Sequence, residues 1–272
     1  MSSAASPGAA APARPLLVAV HGWLLSGRLW QPLQKQLQPH WDLWCPDLPG
    51  FGGTPRPRRL QPSLAGYGRW LAAASLERAA GRPLVLIGHS LGGSIALHAA
   101  QRLGADLGAM VQIAAGGGVW QPRPFARVRR GGALFLALRP CWLAEVAGTN
   151  AIRSPLRAER RAAQGLLACS TGRGAVRQLP QLTAALTVPS LWIAGERDQV
   201  MEPRYVRHLA AYSPGHHLEV LEGAGHLPMR QQPERLAELI AAWLRHNLPA
   251  RGAEATDQSV ASPRSWSIAN CA

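Results

Sequence analysis

The sequence predicts an α/β protein, in which a mostly parallel central sheet of about six strands carries helices on both faces and is interrupted by a long helical insertion. Three observations predict it. Short apolar runs of strand length alternate with helical segments, as strand-helix-strand crossovers require. Two of those runs end directly in polar turns rich in glycine, at His21-Gly22 and at Gly88-His89-Ser90-Leu91-Gly92. Between Gly118 and Ser190 the strand pattern stops and a long stretch of helical composition replaces it.

Taken in order, residues 1–14 form a Ser/Ala/Pro/Gly tail, expected to be disordered. The tail lacks the basic start and continuous apolar core of a secretory signal. Strands are expected at 16–20, 42–46, 84–87, 109–113, 190–194 and 217–221. A compact helix is expected over 94–100, and an amphipathic one over 232–244 with Pro233 in its first turn. These elements assign 15–118 and 187–249 to the core, 119–186 to a helical insertion, and 250–272 to a second disordered tail. A chain of 272 residues, 47% hydrophobic, is long enough for one such core with an insertion. No internal repeat is apparent.

The most informative segment is Gly88-His89-Ser90-Leu91-Gly92-Gly93, read off the end of the apolar run Pro83-Leu84-Val85-Leu86-Ile87. It has the form G-x-S-x-G, in which a strand turns sharply into a helix and holds the central serine in a strained conformation with its hydroxyl exposed. Gly88 and Gly92 stand where a Cβ would strike the adjoining strand or helix. Ser90 is the candidate nucleophile. The backbone N–H of Leu91, at the start of the following helix, is one candidate oxyanion donor. Leu16-Leu17-Val18-Ala19-Val20-His21-Gly22-Trp23 supplies the other, the N–H of Trp23, while the His21 side chain reads as a turn histidine satisfied by backbone. In other enzymes the loss of one such donor costs about 3–4 kcal/mol of transition-state stabilisation.

An acid and a base follow later in the chain. The strand at 190–194 runs into Gly195-Glu196-Arg197-Asp198, and Asp198 is the candidate partner that would fix an imidazole tautomer. Glu196 is its neighbouring competitor, expected still within the strand end. The strand at 109–113 is followed by Ala114-Ala115-Gly116-Gly117-Gly118, which holds no carboxylate. His226 follows the loop Gly223-Ala224-Gly225 and is the candidate general base. Of the nine histidines, His216 and His217 precede a strand, and His208 and His246 fall on helix surfaces.

With the elbow, the His-Gly turn, Asp198 and His226 in that order, the chain resembles the α/β-hydrolase superfamily from about residue 16 to 248. Within it, His21-Gly22-Trp23 with Trp30 following, and Pro46-Asp47-Leu48-Pro49-Gly50-Phe51-Gly52, resemble the pimeloyl-[acyl-carrier-protein] methyl ester esterases of biotin synthesis. The same segments occur loosely in small carboxylesterases, haloperoxidase-like hydrolases and menaquinone-pathway synthases. The resemblance implies a cofactor-independent serine carboxylesterase acting through an acyl-enzyme, without a metal, and makes the helical insertion over 119–186 a cap over the active site. The sheet would be trimmed, since the first 14 residues leave no room for the antiparallel strands that commonly open it. Elimination chemistry of the menaquinone-pathway type, a lipid or pigment-ester hydrolase at a membrane surface, and a degenerate binding module are the alternatives.

Net charge is +14, from 29 basic and 15 acidic residues, and Lys35 is the one lysine. Eleven arginines lie within 119–186 (Arg123, Arg127, Arg129, Arg130, Arg139, Arg153, Arg157, Arg160, Arg161, Arg173 and Arg177) against Glu145 and Glu159. A cap this basic suits an anionic partner such as an acidic acyl carrier protein, with an anionic lipid surface as the rival. No nucleic-acid-binding motif accompanies the charge. The apolar run over 131–143, interrupted by Arg139 and Pro140, is too short to span a bilayer. It reads as a cap helix packed on the core, or as a wall for an apolar acyl group or an interfacial membrane contact. Trp23, Trp120, Trp142, Arg153 and Arg157 are the candidate substrate-binding residues. Cys45, Cys141, Cys169 and Cys271 are widely spaced, which fits reduced thiols in a cytoplasm and indicates neither zinc nor a redox pair.

Overall fold

The computed structural model describes residues 14–142 and 153–248. The tail expectations therefore lie, apart from Arg14, outside the described residues, as do Leu143, Glu145, Cys271 and the side chain of Arg153. Six strands, β1 (Leu16–Val20), β2 (Asp42–Trp44), β3 (Leu84–His89), β4 (Leu107–Ile113), β5 (Ser190–Gly195) and β6 (His216–Leu221), form one sheet. All its pairings are parallel, in the order β2-β1-β3-β4-β5-β6.

The order reverses once. From β1 the chain moves outward to β2, then crosses back to lay β3 on the other side of β1, where Val20 stands opposite Gly88. Connections leaving the carboxyl ends of β1 and β3 therefore diverge, and such a switch point opens a crevice at the rim of a parallel sheet. His21-Gly22-Trp23 and Ser90 both sit there.

Five strands differ at one end from those expected: β3 runs on to His89, β5 to Gly195, β6 starts at His216, and β2 and β4 depart further. β2 stops at Trp44, two residues before Pro46, which has no N–H to offer a ladder. β4 begins at Leu107 and passes through a register shift, because Leu84 faces Leu107 while Val85 faces Ala109, so that Gly108 is the extra residue of a bulge.

Every residue of β1, β3 and β5 is buried, which is why these strands read as unbroken apolar runs. Their side chains alternate between two cores. Leu17, Ala19, Val85 and Ile87 face α1 (Gln31–Leu37) and α10 (Pro233–Asn247), while Leu16, Val18, Leu84 and Leu86 face α2 (Leu64–Ala79) and α3 (Leu91–Leu103). β6 is one of the two outer strands, exposed at His216 and His217.

Between β4 and β5 lie α4 (Pro122–Leu138), α5 (Arg153–Arg157), α6 (Arg160–Ser170) and α7 (Arg173–Ala184). After β5 come α8 (Pro203–Ala210) and the single-turn α9 (Pro228–Gln231). The helix α6 feeds Ala162, Ala163 and Leu166 into the core beside α2, whereas α4 buries only Gly132 and Leu136. No described helix is long and apolar enough to cross a membrane.

Candidate active site

The turn after β3 is as tight as its glycines imply. Ser90 has φ 53° and ψ −123°, a region that a residue with a side chain enters at a cost of about 1–3 kcal/mol. Packing holds it there. The Ser90 N–H donates to the Ile113 carbonyl at 3.1 Å, and its carbonyl accepts from Gly93 at 2.9 Å. A Cβ at Gly92 would lie 2.5 Å from the carbonyl oxygens of Val20 and His21, and one at Gly88 2.5 Å from the Gly93 Cα, so the elbow closes only with glycine at both places. Leu91 is the first residue of α3, so its N–H has no intrahelical acceptor and points from the positive end of the helix.

His226, carried between β6 and α9, places Nε2 3.2 Å from the Ser90 Oγ and Nδ1 2.8 Å from Asp198 Oδ2. Because a carboxylate only accepts, Nδ1 holds the proton and Nε2 presents its lone pair to the serine hydroxyl. The Asp198 side chain is fully enclosed and its Oδ1 accepts from the N–H groups of Val200 and Met201, each at 2.8 Å. Burial pushes this carboxyl up, but the hydrogen bonds from His226, Met201 and Val200 outweigh it and hold the group below the usual carboxylate range.

Glu196 lies elsewhere. It opens the turn after β5 instead of closing the strand, and its half-exposed carboxylate accepts from the Gly223 N–H at 2.9 Å, steadying the loop before His226 without facing the imidazole.

The first turn of the rim is built by His21. Its Nδ1–H donates to the Gly22 carbonyl at 2.8 Å and its Nε2 accepts from the Leu48 N–H at 2.9 Å, so one neutral tautomer satisfies both contacts. Burial lowers its pKa to about 4, against the opposing pull of the Gly22 carbonyl and Asp47. Gly22 lies directly against Ser90, since a Cβ there would stand 3.2 Å from the Ser90 Cβ. Trp23 and Leu24 are the central residues of a turn closed by the Leu25 N–H on the Gly22 carbonyl, which leaves the Trp23 N–H outside that bond. The indole of Trp23 is directed into the cap, where Nε1–H donates to the Ala163 carbonyl at 2.9 Å and the ring packs against Gly132.

The remaining candidates are spread out. Trp120 packs on Phe125 with ring centroids 5.3 Å apart, and Trp142 is 68% exposed. Arg157 borders a groove of about 1120 Å³ together with Arg28, Lys35 and Arg230; none of Ser90, Asp198 and His226 lines it. Arg129 and Arg139 are engaged inside the cap, on the carbonyls of Thr171 and of Pro155 and Ala158.

Three supports escaped the sequence reading. Asp47 accepts from the N–H groups of Gly27 and Gly53, at 2.7 and 3.0 Å, bracing the loops that flank the rim. Arg56 grips Glu159 through two hydrogen bonds of 2.8 and 2.9 Å, joining the loop after β2 to the start of α6. His89, the variable position of the elbow motif, bonds the His226 carbonyl at 2.8 Å. Asp47 and His89 lie inside recognisable segments at positions those patterns leave open; Arg56 and Glu159, 103 residues apart, carry no sequence signal.

The parallel sheet and the serine elbow at its switch point define a hydrolase of the α/β type, and the chain belongs to the alpha/beta hydrolase family, whose model matches residues 17–239. It is 33% identical to the pimeloyl-[acyl-carrier protein] methyl ester esterase of Xanthomonas campestris pv. campestris over 83% of this chain and 93% of that one. The enzyme of the same name from Stenotrophomonas maltophilia is 32% identical over 88% of this chain and 96% of its own length. Among solved structures, a thermophilic esterase from Thermogutta terrifontis superposes with a TM-score of 0.69 at 23% identity, over 87% of this chain and 91% of that one, a likeness of fold.

Proposed function

We propose that this chain is a serine carboxylesterase that hydrolyses the methyl ester of a pimeloyl chain carried on acyl carrier protein, a step of biotin synthesis. The observation that carries the reading is the unbroken line of contacts from the Ser90 hydroxyl through His226 to Asp198, at 3.2 and 2.8 Å. The relatives named for this reaction, alike over nearly their whole length, support the choice of substrate.

Ser90 Oγ attacks the ester carbonyl carbon as its proton passes to His226 Nε2, and the N–H groups of Trp23 and Leu91 take up the charge on the carbonyl oxygen. The tetrahedral adduct collapses, the C–O bond to methanol breaks, and His226 returns the proton to the departing oxygen. Water then attacks the acyl-enzyme, giving its proton to the same nitrogen, and the second collapse frees the acid and restores the serine hydroxyl. Asp198 keeps the imidazole in the required tautomer and stabilises its protonated form.

The core assigned to 15–118 and 187–249 supplies these groups, and the cap over 119–186 supplies the basic surface to which an acidic carrier protein would dock. In the experiment that tests this reading, purified protein cleaves both short p-nitrophenyl esters and the carrier-bound methyl ester, and Ser90→Ala abolishes both. Added salt slows the carrier-bound reaction alone, since it screens docking and leaves the chemistry untouched. A Ser90→Ala variant as active as the parent overturns the assignment of the nucleophile.

A further inference from the structure

One buried titratable side chain touches the candidate site from behind. His89 is fully buried, and its Nε2 lies 2.8 Å from the His226 carbonyl. A carbonyl only accepts, so Nε2 carries the proton and Nδ1 is left as a bare lone pair. That Nδ1 has no hydrogen-bond partner. It abuts Gly22, where a Cβ would stand 3.0 Å away. Burial, followed by the neighbouring His226, pushes the His89 pKa down to about 3, so the ring is neutral at any working pH. Phenylalanine would fill this space without enclosing an unpaired nitrogen, so packing alone does not account for an imidazole here. What the imidazole adds is the Nε2–H bond.

We propose that His89 is a positioning residue, which holds the main chain of His226 at the place where its Nε2 meets the Ser90 hydroxyl. This inference rests on the esterase reading above. The loop needs such a restraint, because it runs through Gly223, at φ 71°, and Gly225 before it reaches the histidine. The bonds that steady it earlier, Glu196 on the Gly223 N–H, Arg197 N–H on the Ala224 carbonyl and Gln231 on the Gly225 N–H, all act before residue 226. At His226 itself the bond is made by His89. Since His89 and Ser90 are consecutive and Ser90 is locked into its turn, one short piece of backbone fixes both the nucleophile and the clamp on its base.

Three variants of the full chain test this. In His89→Gln the amide nitrogen lies about as far from Cβ as Nε2 does and can donate in its place, in His89→Asn the amide falls short, and His89→Phe has no donor. With a short p-nitrophenyl ester, Gln is expected to keep most of kcat, while Asn and Phe lose roughly 10–100-fold with KM nearly unchanged, as a misplaced base should. The rate at which a fluorophosphonate labels Ser90 should fall in step. Thermal melts identify any variant that does not fold. If Asn and Phe fold and match the parent in kcat, the proposal is wrong; equal kcat in Gln and Asn overturns it even when Phe is unfolded. Failure of the esterase reading is a separate result, a wild-type protein without ester hydrolysis, and labelling rates decide the His89 question even then.

Discussion

The indole N–H of Trp23 donates to the Ala163 carbonyl at 2.9 Å, and so ties the turn after β1 to a helix of the cap 140 residues away. Gly22, the residue before it, lies against Ser90, whereas the Trp23 side chain packs on Gly132 and bonds Ala163 in the cap. Seating of the cap and placement of a proposed oxyanion donor are therefore one event. Trp23→Phe keeps a ring but loses this bond. It should lower stability by about 1 kcal/mol, or roughly 2–4 °C in Tm for a chain of this size. The kcat should fall by about tenfold, more than KM changes, because a shift of the amide weakens the transition state and spares ground-state binding. Steady-state kinetics beside a melting curve separate the two effects, and an unchanged kcat would mean that the tie has no bearing on the chemistry.

The two carboxylates after β5 predict opposite outcomes. Asp198→Asn leaves the shape of the site but removes the charge that orients and stabilises the imidazole, and kcat should drop on the order of 10³–10⁴-fold. Glu196→Gln touches the Gly223 N–H and an exposed 4.0 Å contact with Arg197, both on the outside of the loop, and the amide oxygen can still accept, so kcat should stay within about threefold of the parent. Measured side by side, equal losses would reject the choice between the two acids.

Arg56 and Glu159 predict how the cap is latched. The Arg56 side chain is 6% exposed, spans both carboxylate oxygens of Glu159 and also donates to the Leu60 carbonyl, while the Glu159 N–H donates to Gly50 at 2.6 Å. Removing one member of a buried pair strands the other, but Glu159 is 38% exposed and water can reach it, so the cost is moderated. Arg56→Met should destabilise the protein by about 2 kcal/mol and quicken tryptic cleavage in the cap before the core. Urea unfolding with a proteolysis time course reads both; a variant with an unshifted urea midpoint contradicts the latch.

How far the sequence reaches follows from what each residue contacts. Strands buried on both faces must be apolar throughout, so β1, β3 and β5 stood out as continuous runs, and the polar residues at their ends had to be turns at the rim of the sheet. Ser90 and Asp198 each follow such a run, and His226 follows the partly exposed β6 and its glycine loop, which puts all three at one rim of the sheet. The cap was legible only as helical composition. Its α7 carries Pro180 internally, its α4 buries two residues, and its hold on the core rests on contacts between distant segments, Arg56 with Glu159 and Trp23 with Ala163. Local periodicity records which face of an element is covered, not which partner covers it. His89 was illegible for another reason, since the elbow pattern constrains glycine and serine by backbone geometry and leaves the intervening position open.

The buried imidazoles of His21 and His89 predict an acid limb of stability. Their pKa values are pushed down from an ordinary 6.5 to about 4 and about 3, chiefly by burial. At pH 5 both rings are protonated in the unfolded chain and neutral in the folded one, so unfolding takes up about two protons through this pair. The unfolded state binds more protons, hence stability rises with pH. The contribution is complete above roughly pH 6.5 and is lost as pH falls toward the folded-state values, with a slope from these two groups of about 2.7 kcal/mol per pH unit near pH 5. Asp198 acts in the same sense at lower pH, because its depressed carboxyl stabilises the fold above the usual carboxylate range and ceases to do so once protonated. Urea titrations at half-unit steps from pH 7 to 4.5 should show this slope, and His89→Gln should remove about one proton of it while leaving the share of His21. A slope identical in the parent and in His89→Gln would mean that His89 is not held neutral in the folded protein, and the tautomer assigned from its bond to His226 would fail with it.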